Sequence, residues 1–191
     1  MLRRLALFLA LAALAGCATA PGRRASGEFM ASLHLCPGGG ISNAPPADSN
    51  RRVDGFEQTM VIRGVLLARA PVNACLSSGY GARSGGAGTF HHGVDLYTGA
   101  PRQILAAGDG VIAGAGRQSG YGNVVTIRHR NGVETRYAHL SSFGPGVRKG
   151  AGVAAGDIIG LTGNSGNATA VHLHYEVIVD GKTVNPLTIG R

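Results

Sequence analysis

The chain has 191 residues, 44% of them hydrophobic, with 32 glycines and a formal net charge of +8. That length fits one domain of ordinary size plus a leader and a linker, and the glycines follow no Gly-X-Y period, so collagen is excluded. Trp is absent and aromatic residues make up 5% of the chain, which argues against a stacking platform for single-stranded nucleic acid.

The amino terminus reads as an export signal. Arg3 and Arg4 precede an apolar stretch, Leu5 to Ala15, that is too short to span a bilayer as a finished helix. It ends in Leu14-Ala15-Gly16-Cys17, which resembles a bacterial lipobox, in which the cysteine is lipidated and becomes the new first residue. A plain signal peptide cleaved near Ala18 or Ala20 is the alternative. No later segment is long and apolar enough for a transmembrane helix. The expected division is a signal peptide over 1–16, a lipid anchor and flexible linker over 17–60, and a folded domain over 61–191. From Pro37 to Arg52 the composition is rich in Gly, Pro, Ser, Asn and Asp, as in linkers.

With Cys17 lipidated, Cys36 and Cys75 are left as an even pair. Export places them in a disulfide-permissive compartment, where a bridge between them is expected; two separate thiols, one in a loop and one in a strand, are the other reading. The basic charge suits anionic lipid or an acidic wall polymer outside the cell, and otherwise serves solubility alone.

From about Val61, short apolar runs alternate with glycine turns. Val61 to Leu67, Val111 to Ala115, Asn123 to His129, Thr135 to His139, Asp157 to Leu161 and Leu173 to Val179 read as strands. Val125 and Ile127 fall on one face of their strand. Asp180-Gly181 signals a hairpin before Lys182. No stretch after residue 20 sustains a 3.6-residue period. A mainly β domain follows, a compact antiparallel sandwich or flattened barrel.

Seven histidines occur, at positions 34, 91, 92, 129, 139, 172 and 174. His91 and Asp95 stand four apart, and in an extended chain residues 91, 93 and 95 point the same way. Gly93 between them would leave room for a metal ion. In His172-Leu173-His174 both imidazoles share a face while Leu173 takes the other. Two histidines and a carboxylate with an open fourth position make a catalytic zinc set. Isolated histidines are ordinarily surface or core residues, but two same-face pairs of ligand types must here coincide.

The motifs Ser78-Gly79-Tyr80-Gly81-Ala82-Arg83, His91-His92-Gly93-Val94-Asp95, Tyr121-Gly122-Asn123, Tyr137-Ala138-His139-Leu140, His172-Leu173-His174-Tyr175-Glu176 and Val184-Asn185-Pro186-Leu187 resemble, in order and spacing, the lysostaphin/LytM family of zinc endopeptidases. The resemblance covers about Pro71 to the carboxyl end. It implies a LytM-type peptidase fold, one zinc ion held by His91, Asp95 and His174, and a catalytic pair His139 and His172. It implies action on peptide cross-links of bacterial cell wall, with peptidoglycan as partner and no nucleic acid. Tyr121 and Asn123 are expected to line the groove. His92 is a neighbour of the site, His129 scaffold, and His34 has no role. Glu176 shares the face of His174, either as a partner behind it or as a surface charge.

Two stretches depart from the family pattern. Thr169-Ala170-Val171-His172 stands where family members read Thr-Gly-Pro-His, which alters the groove wall, and Pro101 to Ile104 is more polar than usual. An alternative function is a lipoprotein of this fold that has lost zinc ligands and regulates other wall hydrolases; the complete ligand set argues against it. Zinc carboxypeptidases with His-x-His space their first His and Asp more widely than His91 and Asp95. An anchored lipoprotein with Ala18 after the lipidated cysteine is expected at the outer membrane, facing the periplasm.

Overall fold

Apolar side chains two apart in the run from Asn123 to His129 bury completely: Val125 and Ile127 have no exposed surface. Their strand lies in the middle of a sheet covered on one face by the core, as period-two patterning requires. The computed structural model describes residues 27–38, 40–83 and 90–190; the expected signal peptide and Cys17 lie outside the described residues.

Among the described residues fifteen strands follow in chain order: β1 (Thr59–Ile62), β2 (Val65–Ala68), β3 (Cys75–Ser78), β4 (Gly81–Ala82), β5 (Phe90–His91), β6 (Val94–Tyr97), β7 (Gln103–Leu105) and β8 (Gly110–Gln118). Then come β9 (Gly122–Arg128), β10 (Val133–Leu140), β11 (Ser142–Phe143), β12 (Gly152–Val153), β13 (Ile158–Leu161), β14 (His172–Val179) and β15 (Lys182–Val184). The main sheet runs β12-β8-β9-β10-β14-β6-β3, with β15 also on β14; a three-stranded sheet runs β11-β13-β7. These strand pairings are antiparallel. The chain is thus the mainly β, antiparallel domain that the sequence predicts, with no helix among the described residues.

The core is pinned by polar atoms that find partners. Tyr137 and Tyr175 pack at 5.4 Å between ring centroids. Tyr137 Oη accepts from the Ala107 amide at 2.8 Å, and Tyr175 donates to the Ala68 carbonyl at 3.0 Å. His129 is scaffold: Nδ1 donates to the Asp109 carbonyl and Nε2 meets the Thr135 hydroxyl, both at 2.8 Å.

Two expectations need correction. The strand expected over Val61 to Leu67 is a hairpin, because Arg63 (φ 50°) and Gly64 (φ 75°) turn the chain back between β1 and β2, the paired positive φ of a type I′ turn. An apolar residue on each side of the turn hides it from a periodicity reading. Asp180 (φ 48°) and Gly181 (φ 76°) make the expected turn of the same kind.

The second correction concerns the flexible linker of 17–60. Its described part is packed. Leu33 and Val53 are buried, Leu35 bridges Leu76 in parallel, and Cys36 is disulfide-bonded to Cys75. The Pro- and Asp-rich stretch makes a turn rather than a tether, with the Asp48 carboxylate accepting the Asn50 and Arg52 amides at 2.9 Å. Composition of this kind marks turns as well as linkers, and the disulfide holds the arm against the sheet edge at β3.

Candidate active site

Strand pairing assembles the site. Asp95 on β6 is the register partner of His174 on β14, and Ser78 on β3 is the partner of Asp95 on its other side. His91 ends β5, one bend before β6. Residues 91 to 95 are therefore not one extended strand; the bend at 92–93 is what folds the His91 ring back onto Asp95. Gly93 has a different reason from the expected one. A Cβ there would stand 2.3 Å from the Tyr175 carbonyl oxygen and 3.0 Å from His174 Cε1, so glycine serves close strand approach rather than room for an ion.

Three ligand atoms converge. His91 Nε2 lies 3.1 Å from Asp95 Oδ1 and 3.1 Å from His174 Nδ1, and His174 Nδ1 lies 2.9 Å from Asp95 Oδ1. The opposite ring nitrogens are committed elsewhere: His91 Nδ1 donates to the Gly79 carbonyl at 2.7 Å, and His174 Nε2 to Glu176 Oε1 at 3.1 Å. Two imidazole lone pairs and a carboxylate oxygen therefore face one another, an arrangement that repels unless positive charge sits among them. Zinc with ligand bonds of about 2.0–2.1 Å has tetrahedral edges of roughly 3.3 Å, close to this triangle, so these residues fit the ion. Protons on these rings can supply that charge: burial disfavours charge on Asp95, yet hydrogen bonds from protonated His174 and His91 outweigh it and hold the carboxyl well below the usual range. Burial also disfavours charge on His174, but the Asp95 and Glu176 carboxylates override it and lift the ring to about 9.

His139 and His172 form the other wall, with ring centroids 4.8 Å apart. Each donates Nδ1–H to a carbonyl, Ser165 at 2.8 Å and Ala170 at 2.9 Å, which leaves Nε2 for the cleft. His172 Nε2 is 3.7 Å from Asp95 Oδ1. His139 has φ 65° and sits at a register shift between Tyr137 and Leu140, a bulge that re-aims a side chain. Such backbone costs of order 1–3 kcal/mol and persists where its surroundings fix it. Here they do: the His139 amide donates to the Tyr121 carbonyl at 2.9 Å. Burial pulls the His139 imidazole below its ordinary value, against the Ser165 carbonyl and with help from His172 and His174.

A cleft of about 470 Å³ opens over these groups, lined among others by Arg83, Tyr121, His139, His172 and His174. Tyr121 is at its wall, its ring 5.8 Å from that of His174. Asn123 is turned away: its Nδ2 donates to the Leu140 carbonyl at 3.1 Å, and its amide donates to Ser165 Oγ at 2.9 Å. It braces the loop behind His139, so its expected place on the groove wall is corrected. His92 packs at a tilt against Phe90 and meets Thr183 Oγ1 at 3.1 Å, outside the triangle. His34 is exposed and its backbone bridges Arg52.

The sequence reading left the role of Glu176 open and gave none to several other residues. Glu176, fully buried, accepts from His174, from Tyr121 Oη at 2.8 Å and from Arg136 at 2.7 Å, so it stands behind the ligand rather than on the surface. Ser165 supplies the carbonyl that orients His139. Gly122 and Gly166 let its loop approach; a Cβ on Gly122 would stand 2.4 Å from Ser165. Arg83 donates to Asp95 Oδ2 at 3.3 Å and to Ser78 Oγ at 3.1 Å. Only the glycines and the His-x-His-x-Glu spacing offered any signal for these roles.

Known proteins resemble this chain in sequence and fold. The DD-carboxypeptidase/endopeptidase Mpg of Neisseria meningitidis is 46% identical over 100 residues, which are 52% of this chain and 23% of that protein. The chain thus matches less than a quarter of the length of that relative. A zinc containing peptidase from Vibrio cholerae superposes with a TM-score of 0.57 at 28% identity, covering 70% of this chain and 39% of that one. The catalytic domain of the antimicrobial peptidase lysostaphin from Staphylococcus simulans superposes with a TM-score of 0.55 at 33% identity, covering 60% of this chain and 90% of that domain. Residues 89–186, just over half of the chain and including every residue of the two histidine walls, match Peptidase family M23, and the chain belongs to that family.

Proposed function

We propose that the chain is a zinc-dependent endopeptidase that hydrolyses peptide cross-links of bacterial peptidoglycan. The observation that carries this reading is the triangle of His91 Nε2, Asp95 Oδ1 and His174 Nδ1, whose sides are 2.9–3.1 Å and whose three electron pairs call for one shared cation. Likeness to the peptidoglycan DD-endopeptidase ShyA of Vibrio cholerae, 42% identical over 97 residues, supports the substrate. The regulator alternative rests on lost ligands, and none is lost here.

His91, Asp95 and His174 would hold the ion. When bound, zinc supplies Lewis acidity to the scissile carbonyl and to the attacking water. His139 and His172 then share the proton work. Both are anchored at Nδ1, so Nε2 of each is presented at a fixed place to water or substrate. His139, held toward its neutral form by burial, is suited to accept the proton of the attacking water. His172, closer to Asp95, is placed to donate to the developing oxyanion or the leaving amine.

The test separates holding metal from moving protons. Asp95→Ala and His174→Ala should lose both zinc and wall-digesting activity. His139→Ala should keep near-stoichiometric zinc while activity falls by roughly 10²–10⁴-fold, the usual worth of acid–base help. Metal analysis and wall digestion on the same preparations decide it; full activity in the Asp95 variant refutes the mechanism.

We further propose that lipid on Cys17 anchors the protein in the outer membrane, facing the periplasm. The lipobox-like Leu14-Ala15-Gly16-Cys17 supports the anchor. Cys17→Ser should move the protein from the membrane to the soluble fraction, and retention of the variant in the membrane refutes it.

A further inference from the structure

Among the described residues that line the catalytic cleft, Arg83 is the only arginine or lysine. Its Nη2 donates to Asp95 Oδ2 and Ser78 Oγ; Nη1 makes no hydrogen bond among the described residues, and the side chain remains 27% exposed. The guanidinium therefore has one edge on a metal ligand and donors left over toward the cleft. The cleft's other carboxylate, Glu176, is fully buried and paired with Arg136, so no negative charge there is left to repel an acidic substrate. Once a divalent ion shares the Asp95 charge, the positive charge of Arg83 is uncompensated beside the reacting bond. A planar guanidinium is matched to a carboxylate in both charge and geometry.

We infer that Arg83 receives a free carboxylate of the substrate next to the scissile amide and so sets the specificity of the cleft. This deepens the wall-peptidase reading and rests on it. It selects one class of cross-link: a D-alanyl carbonyl joined to a diamino dicarboxylic acid, whose second carboxylate lies beside the bond. A glycine bridge offers no charge at that position.

The experiment uses the full chain with zinc and three synthetic peptides. One is the direct cross-link with its free carboxylate, one the same peptide with that carboxylate as a primary amide, and one a glycine bridge. The readout is the ratio of kcat/KM between peptides within one preparation, which is independent of how much enzyme is folded or metal-loaded. The acid should be cut roughly 10–100-fold faster than the amide, the worth of a charge-assisted hydrogen bond, and faster than the glycine bridge. Arg83→Met, which keeps the stem, should bring the acid/amide ratio toward one, and Arg83→Lys should retain part of it. If Arg83→Met is inactive, the wild-type ratio and Arg83→Lys carry the test. Equal cleavage of acid and amide by wild type overturns the inference, as does a ratio that survives Arg83→Met. So does a ratio lost in Arg117→Ala, in the groove that continues beyond Gly120. Failure to cut any of the three overturns the wall-peptidase reading itself, which is a separate result.

Discussion

Glu176 offers the sharpest test of how the site is held. It is fully buried and accepts three hydrogen bonds, from His174 Nε2 at 3.1 Å, Tyr121 Oη at 2.8 Å and Arg136 Nη1 at 2.7 Å. Glu176→Gln keeps an acceptor for His174 and Tyr121 but removes the charge opposite Arg136. The amide nitrogen then faces the Arg136 donor, so a charge-assisted bond of about 1.5–3 kcal/mol is lost, and that is the expected loss of stability. The 24% exposure of the Arg136 side chain puts the result toward the lower end. Glu176→Ala removes the acceptor for His174 altogether. The ring is then free to rotate away from Asp95, and partners of this kind are worth about 10–100-fold in metal affinity, or roughly 1.4–2.7 kcal/mol. Competition against a chelator of known affinity measures the zinc dissociation constant, and chemical denaturation measures stability. The expected order is wild type, then Gln, then Ala for both. A zinc affinity in Glu176→Ala equal to wild type would refute the claim that this carboxylate orients His174.

Two further outcomes follow from the packing. Gly93→Ala should destabilise by about 1–3 kcal/mol or more, since the new methyl meets backbone at 2.3 Å; an unchanged melting temperature would show that the strands can separate there without loss. Breaking the Cys36–Cys75 bridge, which closes a separation of 39 residues, should lower stability by roughly 3–4 kcal/mol on the chain-entropy account; thiol counting on exported, unfolded protein checks that the bond is present, and denaturation with and without reductant measures its worth.

The fold was largely legible because its strands are short apolar runs set between glycine turns. β9, β10 and β14 lie where those runs placed them, and the Asp180-Gly181 turn was marked by its own residues. What escaped were events that interrupt a pattern without changing its composition. The Arg63-Gly64 turn sits inside an apolar run, and the bulge at His139 shifts a register that no side chain announces. The arm over residues 27–58 was misread for a related reason. Pro, Gly, Ser, Asn and Asp favour turns and linkers alike, and only tertiary partners, here Leu76 and Cys75, decide between them.

The candidate site shows a sharper division. Residue types at fixed spacing identified the atoms that would touch metal and substrate, because ligand chemistry restricts them to His and Asp. The groups that orient those atoms are not restricted in this way. Three of the four ring anchors are main-chain carbonyls, those of Gly79, Ser165 and Ala170, which any residue can supply. His91 adds the Ser78 hydroxyl at 3.3 Å, and only His174 leans on a side chain alone, one that is two residues further along its own strand. Ala170 and Val171 replace the Gly-Pro expected before His172, yet the anchor of His172 is the Ala170 carbonyl, not its methyl. The substitution therefore leaves the imidazole's orientation intact and changes only the surface beside it. Departures from the family pattern at this point bear on which substrate fits against the wall, and the proton chemistry is insulated from them.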